Sequence, residues 1–188
     1  MKIIQTKIKD LYVIQPEIFS DDRGYFFESF NKQRFNKKFP LINFCQDNES
    51  KSSFGVLRGL HYQLPPKAQT KLVRVVKGKV LDVAVDIRKG SPTFGHHVSL
   101  ELSAENKKQL LIPRGFAHGF VVLSQEAVFS YKVDNFYDPK LDRGIIFNDF
   151  DLNIDWKLND NNLELSEKDK KLSQFKNADF IEYKNLYD

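Results

Sequence analysis

The sequence contains a single cysteine, Cys45, so no disulfide can form within the chain. No apolar run approaches the roughly 20 residues of a membrane-spanning helix, and the first seven residues lack the apolar core of a signal peptide. Nor is there a block of about five or six basic residues that would indicate nucleic-acid binding. We therefore expect a cytoplasmic protein with no membrane and no nucleic acid among its partners.

What is present suits one globular domain spanning residues 1–188. Hydrophobic residues make up 41% of the chain and aromatic residues 13%, with 17 phenylalanines. A folded chain of this length buries roughly 70% of the surface that it exposes when unfolded, so it can form a core without disulfides. The net charge of +4 is small and spread over many lysines. It favours an anionic small molecule as ligand.

Short strand-like segments separated by turn signals are typical of an antiparallel β-sandwich or barrel. A short helix is predicted at 32–39, with Asn31 as N-cap, and another near the C-terminus, with Ser166 and Asp169 as its capping box. Lys77 and Gly78 predict a hairpin turn. The predicted strands are Leu11–Ile14, Tyr25–Phe30, Ile42–Gln46, Val56–Gln63, Lys71–Val76, Val80–Ile87, His97–Leu102, Gln109–Ile112, Ala117–Leu123 and Ala127–Val133.

Three polar side chains fall on apolar strand faces. Because side chains alternate across a strand, Lys71, His118 and Tyr131 each share a face with hydrophobic neighbours. Taken singly, each of two of these residues has a simpler explanation. Lys71 begins its strand, so its ammonium can reach solvent at the rim, and Tyr131 can be a core residue whose hydroxyl bonds the backbone. Three such residues in one β-rich domain favour a pocket lined by polar side chains, because burying a lysine is unfavourable unless its ammonium has a partner.

The segment Arg58–Gln63 adds an arginine and a histidine three residues apart. Strict alternation would place Arg58 and His61 on opposite faces. Gly59 lies between them, and a glycine inside a strand often marks a β-bulge. A bulge there would turn both side chains to one face.

The spacing P-x-G-x-x-H in Pro113–His118 resembles the second motif of the cupin superfamily of small β-barrels. Metal-binding cupins also carry two histidines one residue apart, followed by a glutamate. Here the corresponding segment is His61-Tyr62-Gln63, with no acid in Leu64–Ala68. Since catalytic metal sites usually have three good protein ligands, we expect a cupin-like antiparallel jelly roll without a metal.

Further motifs make the resemblance specific. Over residues 8–172 the chain resembles the dTDP-4-dehydrorhamnose 3,5-epimerases, a family of cofactor-free enzymes that act on a dTDP-linked 4-keto-6-deoxy sugar. The motifs that carry the resemblance are Asp22–Glu28, Gln46–Asn48, Arg58–Gln63, Pro113–His118, Tyr131-Lys132 and Leu165–Asp169.

The resemblance implies a role for each matching residue. His61 is expected to be the base, oriented by Asp169, with Tyr131 as the acid on the opposite face and Lys71 beside the keto oxygen. Close relatives carry glutamate where this chain has Asp142. The implied substrate contacts in the same subunit are Arg58, His118, Gln46, Asp47, Asn48, Asp142 and Lys168. Those implied from the neighbouring subunit of a homodimer are Arg23, Phe26 and Glu28.

These residue types suit proton removal next to a ketone. A cation stabilises the developing enolate oxygen, an imidazole accepts a proton near neutral pH, and a phenol can return one. From the residues alone, Asp82 is a rival to Asp169 as partner of His61. Alternative functions are a 3-only epimerase or ketoisomerase on a related nucleotide sugar, a non-catalytic sugar-nucleotide-binding cupin, and a metal-dependent cupin oxygenase.

Overall fold

The computed structural model describes residues 1–184 and 186–187. A single α-helix, α1 (Lys32–Asn36), accompanies many strands in this part of the chain, with short 3-10 helices at Asp160–Asn162, Asp169–Lys171 and Phe175–Asn177. The strands are β1 (Lys2–Gln5), β2 (Tyr12–Gln15), β3 (Phe19–Asp21), β4 (Gly24–Phe26), β5 (Gln46–Ser53), β6 (Leu57–Gln63), β7 (Lys71–Lys77), β8 (Lys79–Asp86), β9 (Arg88–Lys89), β10 (His97–Ser103), β11 (Gln109–Ile112), β12 (Phe116–Val122), β13 (Glu126–Val133), β14 (Asp142–Gly144) and β15 (Ile181–Glu182).

Two antiparallel sheets form the body of the protein, which confirms the predicted jelly roll. The six-stranded sheet has the order β1-β2-β11-β7-β13-β5, and the five-stranded sheet has the order β10-β8-β12-β6-β14. Apolar side chains from both sheets pack between them. Among these are Val73 and Phe129 from the first sheet and Val80, Phe120 and Val122 from the second.

Strand β8 is buried on both faces. Its even-numbered residues Val80 and Ala84 face the interior between the sheets, while Leu81, Val83 and Val85 lie in a second cluster. That cluster includes residues from the C-terminal part of the chain, Trp156 and Ile181 among them. The C-terminal segment therefore covers the outer face of the five-stranded sheet.

The predicted hairpin at Lys77 and Gly78 is wrong. Strand β7 pairs with β11 and β13, whereas β8 pairs with β10 and β12. The turn instead carries the chain from one sheet to the other. Gly78 has a φ of +76°, and a Cβ there would lie 2.0 Å from the carbonyl oxygen of Glu126, so the crossing needs a glycine.

The strand predicted at Ile42–Gln46 is also wrong, because β5 begins where that segment ends. The sequence of β5, QDNESKSS, is polar throughout, and β5 forms an edge of the six-stranded sheet. Charged residues are common on edge strands because they discourage pairing with another chain. The hydrophobic pattern therefore missed this strand, and it missed β1 as well.

Strand β4 ends at Phe26, so the strand predicted to run to Phe30 is too long. The first helix begins as predicted, since the side chain of Asn31 accepts a hydrogen bond from the backbone N–H of Arg34. It ends at Asn36, short of the predicted residue 39. No helix among residues 1–184 and 186–187 combines the length and the apolar character needed to span a membrane.

The second predicted helix is only a 3-10 turn, Asp169–Lys171. The hydroxyl oxygen of Ser166 accepts a hydrogen bond from the backbone N–H of Asp169 at 3.1 Å, as a cap does. The carboxylate of Asp169 does not complete a capping box, however. It points instead to His61 in strand β6.

Candidate active site

A cavity of about 330 Å³ opens between the two sheets. The six-stranded sheet contributes Lys71 and Tyr131, and the five-stranded sheet contributes Arg58, His61 and His118. The lysine, the histidine and the tyrosine that strand parity placed on apolar faces therefore do line one pocket. Its complete lining is Glu49, Ser50, Arg58, His61, Lys71, His118, Phe120, Phe129, Tyr131, Ser166, Lys168 and Asp169.

The β-bulge predicted at Gly59 is present. In the pairing of β12 with β6, His118 lies opposite His61 and Phe120 lies opposite Arg58. The step from one pair to the next is two residues along β12 but three along β6, so β6 holds one extra residue. Gly59 has a φ of +121°, and a Cβ there would lie 2.6 Å from the Cα of Gly119. The bulge therefore requires glycine, and it turns both Arg58 and His61 into the cavity.

His61 and Asp169 form a hydrogen-bonded pair, with Nε2 and Oδ1 2.6 Å apart. The acid side chain is 5% exposed and the histidine 30%. Burial alone would raise the pKa of Asp169, but hydrogen bonds from His61, Ser166 and the backbone N–H of Gly59 hold it below its ordinary value. An ionised Asp169 accepts the Nε2 proton of His61, which leaves Nδ1 free to accept another proton.

Lys71 supplies a cation to the cavity. Burial lowers the pKa of its ammonium to about 8, against the attraction of the carboxylates of Asp142 and Asp82. The group is therefore mostly charged at neutral pH. Among residues 1–184 and 186–187, its Nζ makes only a long contact of 3.5 Å, to the carbonyl oxygen of His61, so it has donors available for a ligand.

Tyr131 enters the cavity from the sheet opposite His61. Burial raises the pKa of its hydroxyl, while the charge of Arg58 acts in the other direction. The phenol is thus neutral and can donate a proton. A base on one sheet and an acid on the other can act on the two faces of a ring held between them.

The structure separates the two candidate partners of His61. Asp169 pairs with His61, whereas Oδ2 of Asp82 lies 2.9 Å from Nε2 of His118. Burial lowers the pKa of His118 in spite of this carboxylate. His118 is therefore a neutral ring in the cavity wall, and it stacks against Phe129 with ring centroids 6.0 Å apart.

Sequence reasoning missed two residues that hold or border the site. Ser52 accepts a hydrogen bond from Nε of Arg58 at 3.1 Å. Tyr137, half exposed at the rim, donates to Oδ2 of Asp142 at 3.2 Å, and the same oxygen accepts from Lys168. Neither carried a sequence signal, because only the folded backbone brings each to its partner, six residues away for Ser52 and five for Tyr137.

The segment Gln46–Asn48 does not line this cavity. Gln46 and Asn48 share one face of β5, where Nε2 of the first donates to Oδ1 of the second at 2.8 Å. Asp47 points the other way and accepts from Lys132 at 2.8 Å. Asn48 nevertheless lies directly opposite Tyr131 across the strand pair. Substrate contacts by this segment stay a prediction.

Three other predicted contacts also lie away from the cavity of their own chain. Arg23 and Phe26 sit on the β3–β4 hairpin, with the Arg23 side chain 90% exposed and Phe26 67% exposed. Arg23 donates to Asp21. The carboxylate of Glu28 accepts from Arg34 at 2.6 Å. Such an exposed hairpin suits contact with a second subunit, which stays a prediction.

The described residues contain no group of three or more His, Cys, Asp or Glu side chains arranged to hold a metal ion. His61 and His118 are cross-strand neighbours. Each, however, is hydrogen-bonded to its own carboxylate. The chemistry that this arrangement supports is proton transfer by the side chains themselves.

Comparison with known proteins places the chain in a family. The family model described as dTDP-4-dehydrorhamnose 3,5-epimerase matches residues 5–177. The enzyme of that name from Shigella flexneri is 55% identical over 182 residues, 96% of this chain and 99% of that protein. The crystal structure of the Elizabethkingia anophelis dTDP-4-dehydrorhamnose 3,5-epimerase is also 55% identical, with a TM-score of 0.90 over 94% of this chain and 97% of that one.

A structure with a bound sugar nucleotide is equally similar in fold. The dTDP-6-deoxy-D-glucose-3,5-epimerase of Legionella pneumophila, in complex with dTDP-4-keto-L-rhamnose, is 47% identical, with a TM-score of 0.93. The match covers 98% of this chain and 99% of that one. The family model, the whole-length identities and the shared fold agree. This chain belongs to the dTDP-4-dehydrorhamnose 3,5-epimerase family.

Proposed function

We propose that this protein converts dTDP-4-dehydro-6-deoxy-D-glucose into dTDP-4-dehydro-L-rhamnose by inverting C3 and C5, as a step in dTDP-L-rhamnose biosynthesis. One observation carries the proposal. The His61–Asp169 pair and the Tyr131 phenol enter one cavity from opposite sheets, and the Lys71 ammonium shares that cavity. These are a base, an acid and an oxyanion partner, the groups that epimerisation beside a ketone requires.

Each inversion follows the same path. Nδ1 of His61 removes the proton from the carbon next to the C4 ketone, and the electron pair moves into the carbonyl, forming an enolate. Lys71 donates a hydrogen bond to the enolate oxygen, a stabilisation worth about 3–4 kcal/mol in comparable sites. Tyr131 then protonates the carbon from the opposite face as the ketone re-forms.

Two inversions need two proton exchanges with solvent. After each inversion, His61 carries an extra proton and Tyr131 lacks one. The enzyme must therefore release the proton of His61 to solvent and return a proton to Tyr131. The His61 side chain is 30% exposed, which gives it access to water. The second inversion then repeats the chemistry at the other carbon next to the ketone.

The charged rim of the cavity suits the nucleotide. The guanidinium of Arg58 matches the geometry of diphosphate oxygens, and Ser52 fixes its orientation. Lys168 adds a second cation, bonded to Asp142. The exposed β3–β4 hairpin supports a homodimer in which Arg23, Phe26 and Glu28 reach the site of the neighbouring subunit.

Isotope exchange tests the proposal directly. In D₂O with dTDP-4-dehydro-6-deoxy-D-glucose, we expect deuterium at both C3 and C5 of the product, measured by NMR. Label at C3 alone would make the protein a 3-only epimerase, and movement of the keto group would make it a ketoisomerase. His61→Asn should bind the nucleotide but incorporate no label.

If the protein were instead a non-catalytic sugar-nucleotide-binding protein, the wild-type chain would bind the nucleotide without turnover. Elemental analysis of active protein tests the cofactor-free reaction, because a cupin oxygenase would hold a stoichiometric divalent metal. Cross-linking through the β3–β4 hairpin tests the homodimer. The cytoplasmic location stays a prediction.

A further inference from the structure

Asp82 lies in the middle of β8, and its side chain points between the sheets, 0% exposed. Oδ2 makes the 2.9 Å hydrogen bond with Nε2 of His118. Oδ1 has no hydrogen-bond partner in the part of the chain that the structure describes. A buried carboxylate oxygen without a partner is unfavourable, so it calls for an explanation.

The surroundings determine where the proton of the His118–Asp82 pair lies. Burial lowers the pKa of His118, Asp82 opposes that effect, and the charge of Lys71 adds to it. The ring of His118 is therefore neutral, and in the 2.9 Å contact its Nε2–H donates to Oδ2 of Asp82, which leaves Nδ1 as an acceptor.

Lys71 reaches the same interior from the opposite sheet. Asp82 is one of two carboxylates that favour its charged form against the effect of burial; the other is Asp142. Within the described part of the chain, its Nζ makes only the 3.5 Å contact with the carbonyl oxygen of His61. The titratable or charged groups of the described residues that share the cavity with Lys71 or act on its charge are Glu49, Arg58, His61, Asp82, His118, Tyr131, Asp142, Lys168 and Asp169.

We propose that Asp82 sets the protonation states of two groups that meet the sugar, fixing the tautomer of His118 and supplying the buried negative charge that keeps Lys71 an ammonium. The bare Nδ1 of His118 then accepts a hydrogen bond from a sugar hydroxyl, and Lys71 donates to the keto oxygen. Asp82 acts through both without touching the substrate, so it is a positioning residue. This proposal rests on the proposed function for its kinetic consequences.

The tautomer can be measured without any substrate. The chain has four histidines, so ¹⁵N-histidine NMR at neutral pH resolves the ring of His118, assigned with the variant His118→Gln. We expect the wild-type ring to be protonated on Nε2, and Asp82→Asn to move the proton to Nδ1 or mix the tautomers, because an amide can donate to Nε2. A wild-type ring protonated on Nδ1 would overturn the proposal.

The kinetic arm uses the pH profile of kcat. In Asp82→Asn we expect kcat to fall at least about tenfold and KM to stay within about threefold of the wild-type value. The loss of activity at high pH should begin about one pH unit lower than in the wild type, because Lys71 has lost a counter-charge. A profile identical to the wild type, with a folded state confirmed by thermal unfolding, contradicts the proposal. If the wild-type protein lacks turnover altogether, the proposed function fails, while the NMR result still stands.

Glu101→Gln is the matched control. Glu101 lies opposite Leu81, the neighbour of Asp82, across the β10–β8 pair, and its side chain is 53% exposed. The substitution removes the same charge on the solvent side, where water and salt screen it. Its pH profile and its His118 tautomer should match those of the wild type. A shift as large as that of Asp82→Asn would mean that net charge, rather than the buried contact, causes the effect.

Discussion

The imidazole of His61 and the carboxylate of Asp169 meet at 2.6 Å although 108 residues separate them in the chain. Strand β6 carries the histidine, and the 3-10 turn Asp169–Lys171 carries the acid. Ser166 and the backbone N–H of Gly59 also bond to the acid. The carboxylate is therefore fixed by groups other than His61.

Asp169→Asn should reduce kcat by about two decades or more while KM changes little. The amide can donate to Nε2 of His61, which would put the ring proton on Nδ1, the atom that accepts the substrate proton in the proposed mechanism. Initial rates and substrate titration measure the two effects separately. Glu167→Gln is the control, because that exposed acid pairs only with Lys170 among the described residues. Wild-type kcat in Asp169→Asn would remove the acid from the mechanism.

Tyr131→Phe should separate proton removal from proton delivery. His61 can still remove the proton, exchange it with solvent and return it to the same face, so deuterium should enter the substrate without inversion. Epimerisation itself should fall by about two decades or more. NMR in D₂O distinguishes labelled substrate from labelled product. If exchange and inversion fall together, Tyr131 does more than deliver the second proton.

Much of this site followed from local patterns. Alternation across strands placed Lys71, His118 and Tyr131 on interior faces, and one glycine between Arg58 and His61 predicted the bulge that brings them together. Both inferences depend only on backbone geometry within a few residues. The pairing of His61 with Asp169 came from family resemblance, because no local rule could choose between that acid and Asp82.

The errors share a physical cause. The turn at Lys77 and Gly78 has hairpin chemistry, but its strands belong to different sheets, and only the pairing of distant strands decides that. Strand β5 is polar because it is an edge, so its sequence carries no core face. Long-range packing, rather than local preference, sets both features.

Activity should fall as the pH rises through about 8. Burial lowers the pKa of Lys71 to about 8, and above that value the enzyme loses the cation that we propose to stabilise the enolate. A profile of kcat against pH should show this decline, and Lys71→Arg should move it to higher pH, because a guanidinium stays charged. If Lys71→Arg is inactive, the position of the decline in the wild type still tests the assignment.

Lys71→Met should be inactive but more stable than the wild type. An ammonium removed from water is unfavourable, so its replacement by an apolar side chain of similar length should raise Tm at neutral pH. The pKa of Lys71 is lower in the folded chain than in the unfolded one, so between these two pKa values the folded chain binds fewer protons than the unfolded chain does. The gain should therefore be complete below pH 8 and shrink as the pH rises towards 10.5. Calorimetry at pH 7 and pH 10 measures the difference.

Arg88→Met should destabilise the fold by about 3–5 kcal/mol, because it leaves a buried carboxylate without its cation. Arg88 is 2% exposed and donates to both oxygens of Asp86 at 2.8 Å, and to Asp10 at 2.9 Å. Urea unfolding measures the loss. The control is Lys89→Met, whose exposed pairing with Glu182 at 3.9 Å should be worth no more than about 1 kcal/mol. Equal losses in the two variants would mean that burial of the Arg88 pair contributes nothing.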